Sequence, residues 1–62
     1  MRAGRLEPWR TRTLENLGKL HAELDQPQPA RRAWAQALEL YTVAGAGDEA
    51  GQVREAIADL DR

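Results

Sequence analysis

His21 is the residue of this 62-residue chain that is best suited to acid–base chemistry, because an unperturbed imidazole titrates near neutral pH. It could act as a general base or as a pH sensor. The chain contains no Cys, which removes thiol nucleophiles, disulfides and thiolate metal sites, and a single His cannot form a multi-His site. No candidate nucleophile is arranged with His21. We therefore expect no catalytic, metal-binding or cofactor-binding residue and no enzymatic activity.

Two pairs of carboxylates, Asp48 with Glu49 and Asp59 with Asp61, are the next candidates for chemistry. Converging carboxylates can bind a hard cation or act as an acid and base pair. On a helix, however, adjacent residues point about 100° apart and residues two apart diverge further, so neither pair converges on one ion. We interpret all four residues as charges at helix ends.

A basic segment near the N-terminus combines arginines with an aromatic residue: Arg2, Arg5, Arg10 and Arg12, with Trp9 among them. Such a mixture can bind phosphate and stack on bases. The whole chain has 9 Lys and Arg against 10 Asp and Glu, whereas nucleic-acid-binding domains usually carry a strong basic excess. We expect a solvated terminus and no nucleic-acid partner. Trp9 either packs over the end of the first helix or serves as an interface anchor.

Neither the glycines nor the remaining aromatic residues predict a ligand site. Gly45 and Gly47 are not followed by the Lys-Ser/Thr pair of a phosphate-binding loop. Trp34 and Tyr41 recur at helical spacing beside small residues, which favours a place in the core over an aromatic ligand box.

The composition favours a small helical domain. Ala and Leu are abundant, while Val, Ile and Phe, from which strands are usually made, are scarce. No apolar stretch approaches the roughly 18 residues that a membrane-spanning helix needs, and no apolar segment follows the first arginines. We expect a soluble, cytoplasmic, uncleaved protein that forms one all-α domain over residues 1–62 and has no membrane partner.

Hydrophobic periodicity predicts three helices, over residues 8–24, 29–44 and 48–60. The apolar positions of the first are Leu14, Leu17, Leu20 or His21, and Leu24; those of the second are Ala30, Ala33, Trp34, Ala37, Tyr41 and Ala44; those of the third are Val53, Ala56, Ile57 and Leu60. Pro29 suits the first helical position of the second helix, and Asp48 suits the N-cap of the third. The short breaks predict helices in antiparallel succession.

The motif Leu14-x-x-Leu17-Gly18-x-x-His21, followed by Ala30-x-x-x-Trp34 and Ala37, resembles the tetratricopeptide repeat. Leu14 replaces the usual aromatic residue, His21 the usual tyrosine, and Thr42 the usual proline. The stretch from ALELYTVAGAGDEA to VREAIADLD is similar to the repeats of multidomain bacterial signalling ATPases and transcriptional regulators. The resemblance implies an antiparallel helical hairpin of tetratricopeptide type plus a third capping helix.

By the same resemblance, Leu17 and His21 face the partner helix, Gly18 lies opposite Ala30, and Trp34 fills the gap between the helices. His21 is then a packed residue between helices. One and a half repeats cannot cover their own apolar faces. The chain is therefore either part of a longer array, or it is covered by a second copy of itself or by a partner protein.

The resemblance implies a non-enzymatic protein–protein interaction module, part of or related to a bacterial regulatory protein. In the family, the first helix of each repeat lines a concave groove that binds an extended or helical peptide. The residues that this alignment places on the groove are Arg12, Glu15, Lys19 and Glu23. The alternative is a structural element for self-association into a homo-oligomer. No cofactor is implied.

Overall fold

The computed structural model describes residues 8–62, which form three α-helices joined by two turns. These are α1 (Pro8–Glu23), α2 (Pro27–Val43) and α3 (Gly47–Leu60). Residues 8–62 contain no strand, so the prediction of an all-α chain is confirmed for this part. Arg2 and Arg5 of the basic segment lie outside the described residues.

The turn between α1 and α2 is closed by two backbone hydrogen bonds. The amide of Gln26 donates to the carbonyl of His21 (2.9 Å), and the amide of Asp25 donates to the carbonyl of Ala22 (3.1 Å). This is the Schellman arrangement, which requires a left-handed residue after the helix. Asp25 fills that place with φ 62°, a conformation that a residue with a side chain adopts at a cost.

The turn between α2 and α3 has the same arrangement. The amide of Ala46 donates to the carbonyl of Tyr41 (2.9 Å), and that of Gly45 to the carbonyl of Thr42 (3.1 Å). Here the left-handed residue is Gly45, with φ 76°. Glycine adopts this conformation without strain, so the two turns differ in the residue that their geometry favours.

The second and third helices begin earlier than the sequence predicts. α2 begins at Pro27 rather than at Pro29, because a proline without an N–H is tolerated throughout the first turn. The prediction that Asp48 is the N-cap of α3 is wrong, because the Schellman turn leads directly into the helix and puts Ala46 at that position. Asp48 lies in the first turn, where its charge still favours the helix.

α2 is the central helix and packs against both α1 and α3. Its buried residues are Ala30, Ala33, Trp34 and Ala37; α3 adds Ala50 and Val53, and α1 adds Thr11 and Gly18. The earlier residue of α2, Trp34, lies against Gly18, and the later one, Tyr41, bonds to Glu15, so α1 and α2 run antiparallel. The contact of Arg31 near the start of α2 with Asp61 just after α3 shows the same for α2 and α3. The small residues on α2 let both neighbours approach closely.

The face of α1 that contacts α2 differs from the predicted one. Leu17, expected to face the partner helix, has 42% of its surface exposed, and Leu20 and Leu24 have 51% and 57%. The contact is made by the row that contains Thr11 and Gly18, which lies about 100° around the helix from Leu17. The small residues of this row let α1 approach Trp34 most closely, and this packing determines which face of α1 is turned towards α2.

No helix among residues 8–62 combines the length and the apolar character that crossing a membrane requires.

Candidate functional site

The packing of Trp34 against Gly18 fixes α1 on α2. Trp34 is 8% exposed, and its indole Nε1 donates a hydrogen bond to the carbonyl of Glu15 (3.0 Å). A Cβ atom at Gly18 would lie 2.8 Å from Cε2 of Trp34 and closer still to Cδ1 and Nε1, which no real side chain tolerates. The residue that fills the space over Gly18 is therefore Trp34 itself, rather than the predicted Ala30.

Tyr41 and Glu15 form a second contact between the same helices. The hydroxyl of Tyr41 donates to Oε1 of Glu15 (2.7 Å). Burial raises the pKa of Tyr41 from near 10 to about 12, and the hydrogen bond to Glu15 and the negative charge of that carboxylate add to the effect. Tyr41 is therefore a neutral donor at physiological pH, and Glu15 is held in place by both its backbone and its side chain.

A cavity of about 270 Å³ lies between α1 and α3, above Trp34. Its lining consists of Glu15, Asn16 and Lys19 from α1, Trp34 from α2, and Gln52, Val53 and Ala56 from α3. Trp34 and Val53 are buried, whereas Asn16, Lys19 and Gln52 are exposed. The cavity therefore has an apolar base and polar walls.

A second cavity of about 260 Å³ lies next to the first, towards the start of α1 and α3. It is lined by Thr11, Arg12, Leu40, Tyr41, Ala44, Ala46 and Glu49. The residues of α1 and α3 that line the two cavities follow one another at helical steps of three and four. The two cavities therefore adjoin each other, and we call them together the α1–α3 crease.

Three of the four predicted protein-binding residues line the α1–α3 crease: Arg12, Glu15 and Lys19. Glu23 is exposed near the end of α1 and lines neither cavity. Asn16 and Gln52 also line the crease and were not predicted from the sequence. The signal was present, because Asn16 lies one turn after Arg12 on the same side of α1.

The other candidates for chemistry are engaged in local contacts. His21 is half-buried at the end of α1, and its Nδ1 donates to Oε1 of Gln26 (2.8 Å). It therefore lies at the turn rather than packed wholly between helices. Asp61 accepts a hydrogen bond from Arg31, while Asp59 lies 3.7 Å from the guanidinium of Arg62.

No metal-binding cluster is present in the described part of the chain, where no three His, Asp or Glu side chains come together. Trp9 is exposed, and the guanidinium of Arg10 lies 5.7 Å from the centre of its ring. Of the two alternatives for Trp9, burial over the helix end does not fit this exposure.

Comparison with protein-family models, with curated proteins and with solved structures finds no match to this chain.

Proposed function

We propose that the chain is a non-enzymatic protein-interaction module of tetratricopeptide type that binds a short peptide in the α1–α3 crease. The observation that carries this proposal is the crease itself, an apolar base flanked by exposed polar side chains on two helices. In line with the resemblance, we propose that the module belongs to, or is related to, a bacterial regulatory protein.

The packing around Gly18 supports the tetratricopeptide assignment. The family pattern has a glycine on the first helix, and Gly18 lies against Trp34, the residue that the resemblance puts in the gap between the helices. Apolar positions of α1 also recur in α3 at a constant offset, since Leu17 corresponds to Val53 and Leu24 to Leu60. α3 then begins a second repeat and lies beside α1 along the crease.

The chemistry of the crease fits a peptide with one small or medium apolar side chain. Asn16 and Gln52 each carry an amide that both donates and accepts hydrogen bonds, as a peptide backbone requires. The buried Trp34 and Val53 provide the base on which an apolar side chain rests. Each cavity is slightly smaller than the roughly 300–1,000 Å³ of small-molecule sites, which favours a side chain over a whole metabolite.

The charges of the crease indicate a peptide of low net charge. The charged residues at one cavity are Glu15 and Lys19, and those at the other are Arg12 and Glu49. Because both signs are present, neither a strongly acidic nor a strongly basic peptide is favoured throughout. Exposed ion pairs add little affinity, so the amides and the apolar base are expected to dominate binding.

Selection from a random library of peptides of about twelve residues tests this proposal. We expect enrichment of peptides whose affinity falls roughly tenfold or more when Asn16 and Gln52 are both replaced by Ala. Gln36→Ala is the matched control, because Gln36 is exposed on α2 outside the crease. Failure to enrich any peptide, or equal binding to the double variant, would contradict the proposal.

A further inference from the structure

A stripe of leucines on α1 is uncovered by the rest of the described chain. Leu17, Leu20 and Leu24 are all more than 40% exposed, and Thr13 precedes them one turn earlier. Relative to Gly18, which contacts α2, the three leucines lie between about 200° and about 260° around the helix. We call this surface the leucine stripe.

The leucine stripe repeats the face by which α3 packs on α2. At the constant offset between the two helices, Leu17 corresponds to Val53, which is 1% exposed. The steps from Thr13 to Leu17, Leu20 and Leu24 are four, three and four residues, the spacing of a helix–helix seam. The stripe thus has the pattern of a packing face for another helix.

We propose that the leucine stripe is the interface of a symmetric homodimer, in which α1 of one chain packs antiparallel against α1 of a second copy. The leucines would interdigitate across a two-fold axis that crosses α1 at the level of Gly18, on the opposite side of the helix. Arg12 also lines the α1–α3 crease, but none of the three leucines does, so the inference does not rest on the proposed function.

The charged residues beside the leucine stripe favour a second copy of the chain as the partner, with its α1 antiparallel. Arg12 and Glu23 lie at about 120° and about 140° from Gly18, on the same flank of the stripe and at opposite ends of it. In an antiparallel pair, each Arg12 faces Glu23 of the other copy, and the two-fold axis makes that contact twice. A parallel pair would instead keep Arg12 of one copy and Glu23 of the other at opposite ends of the stripe, so this contact would not form.

The size of the stripe predicts a dimer of modest affinity. α1 has 16 residues and is therefore about 24 Å long. One face of such a helix buries less than the roughly 800 Å² per partner of a standard stable interface. Association is consequently expected to depend on concentration.

Sedimentation equilibrium of the full chain tests the proposal, between about 10 µM and about 1 mM, where interfaces below standard size associate. We expect the mean mass to rise from the 6.9 kDa of the monomer towards twice that value. Leu20→Lys should weaken association roughly tenfold or more, with unchanged helicity by circular dichroism. Val43→Lys is the matched control, because Val43 is 71% exposed on α2, and it should not affect association.

A charge exchange tests the antiparallel direction. Glu23→Arg should weaken the dimer through repulsion by Arg12 of the other copy, and adding Arg12→Glu should restore it. A monomer throughout the concentration range would overturn the proposal. A dimer that Val43→Lys weakens as much as Leu20→Lys does, or one that the second exchange fails to restore, would also overturn it.

Discussion

At the scale of single residues, the contact between Gly18 and Trp34 controls how the helices meet. The indole occupies the space that any side chain at Gly18 would need, and its hydrogen bond to the carbonyl of Glu15 holds it there. Local preference and packing therefore oppose each other at this position. A glycine lowers helix stability by about 1 kcal/mol relative to alanine, yet only glycine fits.

Gly18→Ala is expected to lower the free energy of unfolding by about 1–3 kcal/mol, because the new methyl group collides with the indole ring. Gly51→Ala is the matched control. A Cβ at Gly51 meets nothing within 4 Å, so this change should stabilise the chain by about 0.5–1 kcal/mol. Thermal melts followed by circular dichroism measure both effects, and a higher melting temperature for Gly18→Ala would refute the packing.

Tyr41 is expected to make stability depend on alkaline pH. Its pKa is raised to about 12 in the folded chain, whereas in the unfolded chain it titrates near 10. Its contribution is therefore complete below about pH 10 and is lost as the pH rises to about 12. Urea melts give the free energy of unfolding at each pH. Plotted against pH, this free energy should differ in slope between the wild type and Tyr41→Phe only in this range. Parallel curves would show that the hydroxyl is not constrained by burial and Glu15.

At the scale of elements, the two turns share one geometry but not one residue. Asp25 and Gly45 both adopt left-handed backbone conformations in Schellman turns. Glycine satisfies that geometry without strain, and a residue with a side chain does not. The first turn is therefore less stable with Asp25 than it would be with glycine at this position.

Asp25→Gly is expected to raise the free energy of unfolding by about 0.5 kcal/mol, the relief of strain being partly offset by the greater freedom of the unfolded chain. Gly45→Ala, its counterpart in the second turn, should lower the free energy of unfolding by about 1 kcal/mol. Chemical denaturation compares the two variants directly. A destabilised Asp25→Gly would mean that the aspartate side chain supports the turn.

The three helices could be predicted because the segments between them contain helix-breaking residues. Two prolines and a Gly-Ala-Gly segment interrupt the apolar periodicity, so three helices followed without reference to packing. The orientation of α1 was not predictable from hydrophobicity, because Leu17, Leu20 and Leu24 form the more apolar row. The row with Gly18 faces α2 instead, because only this row leaves room for the indole ring of Trp34.

The candidate site was partly predictable for a similar reason. Arg12 and Lys19 followed from the alignment with the repeat motif, and both line the crease. Gln52 and Val53 did not follow, because their proximity to α1 depends on how α3 packs on α2. The sequence pattern of one helix predicts its own faces, but a crease between two helices depends on how they pack together.

At the scale of the whole molecule, α2 provides most of the core and α3 protects it. The third helix buries Ala50 and Val53 against α2, and these two residues are a large part of the small core that a chain of this length can form. Truncation after Gly47 is expected to expose α2, to lower helicity beyond the loss of α3 itself and to increase aggregation. Circular dichroism and light scattering measure this. A fragment that stays equally helical per residue and does not aggregate would show that α3 contributes little to the core.

Nuclear magnetic resonance of the ¹⁵N- and ¹³C-labelled chain, titrated with a library-selected peptide, tests most directly whether the α1–α3 crease is the binding surface. We predict that the side-chain amide signals of Asn16 and Gln52 shift with increasing peptide, while the methyl signals of Leu20 and Leu24 stay in place. Shifts confined to the methyl signals of Leu20 and Leu24 would contradict binding in the crease and would assign the peptide to the leucine stripe.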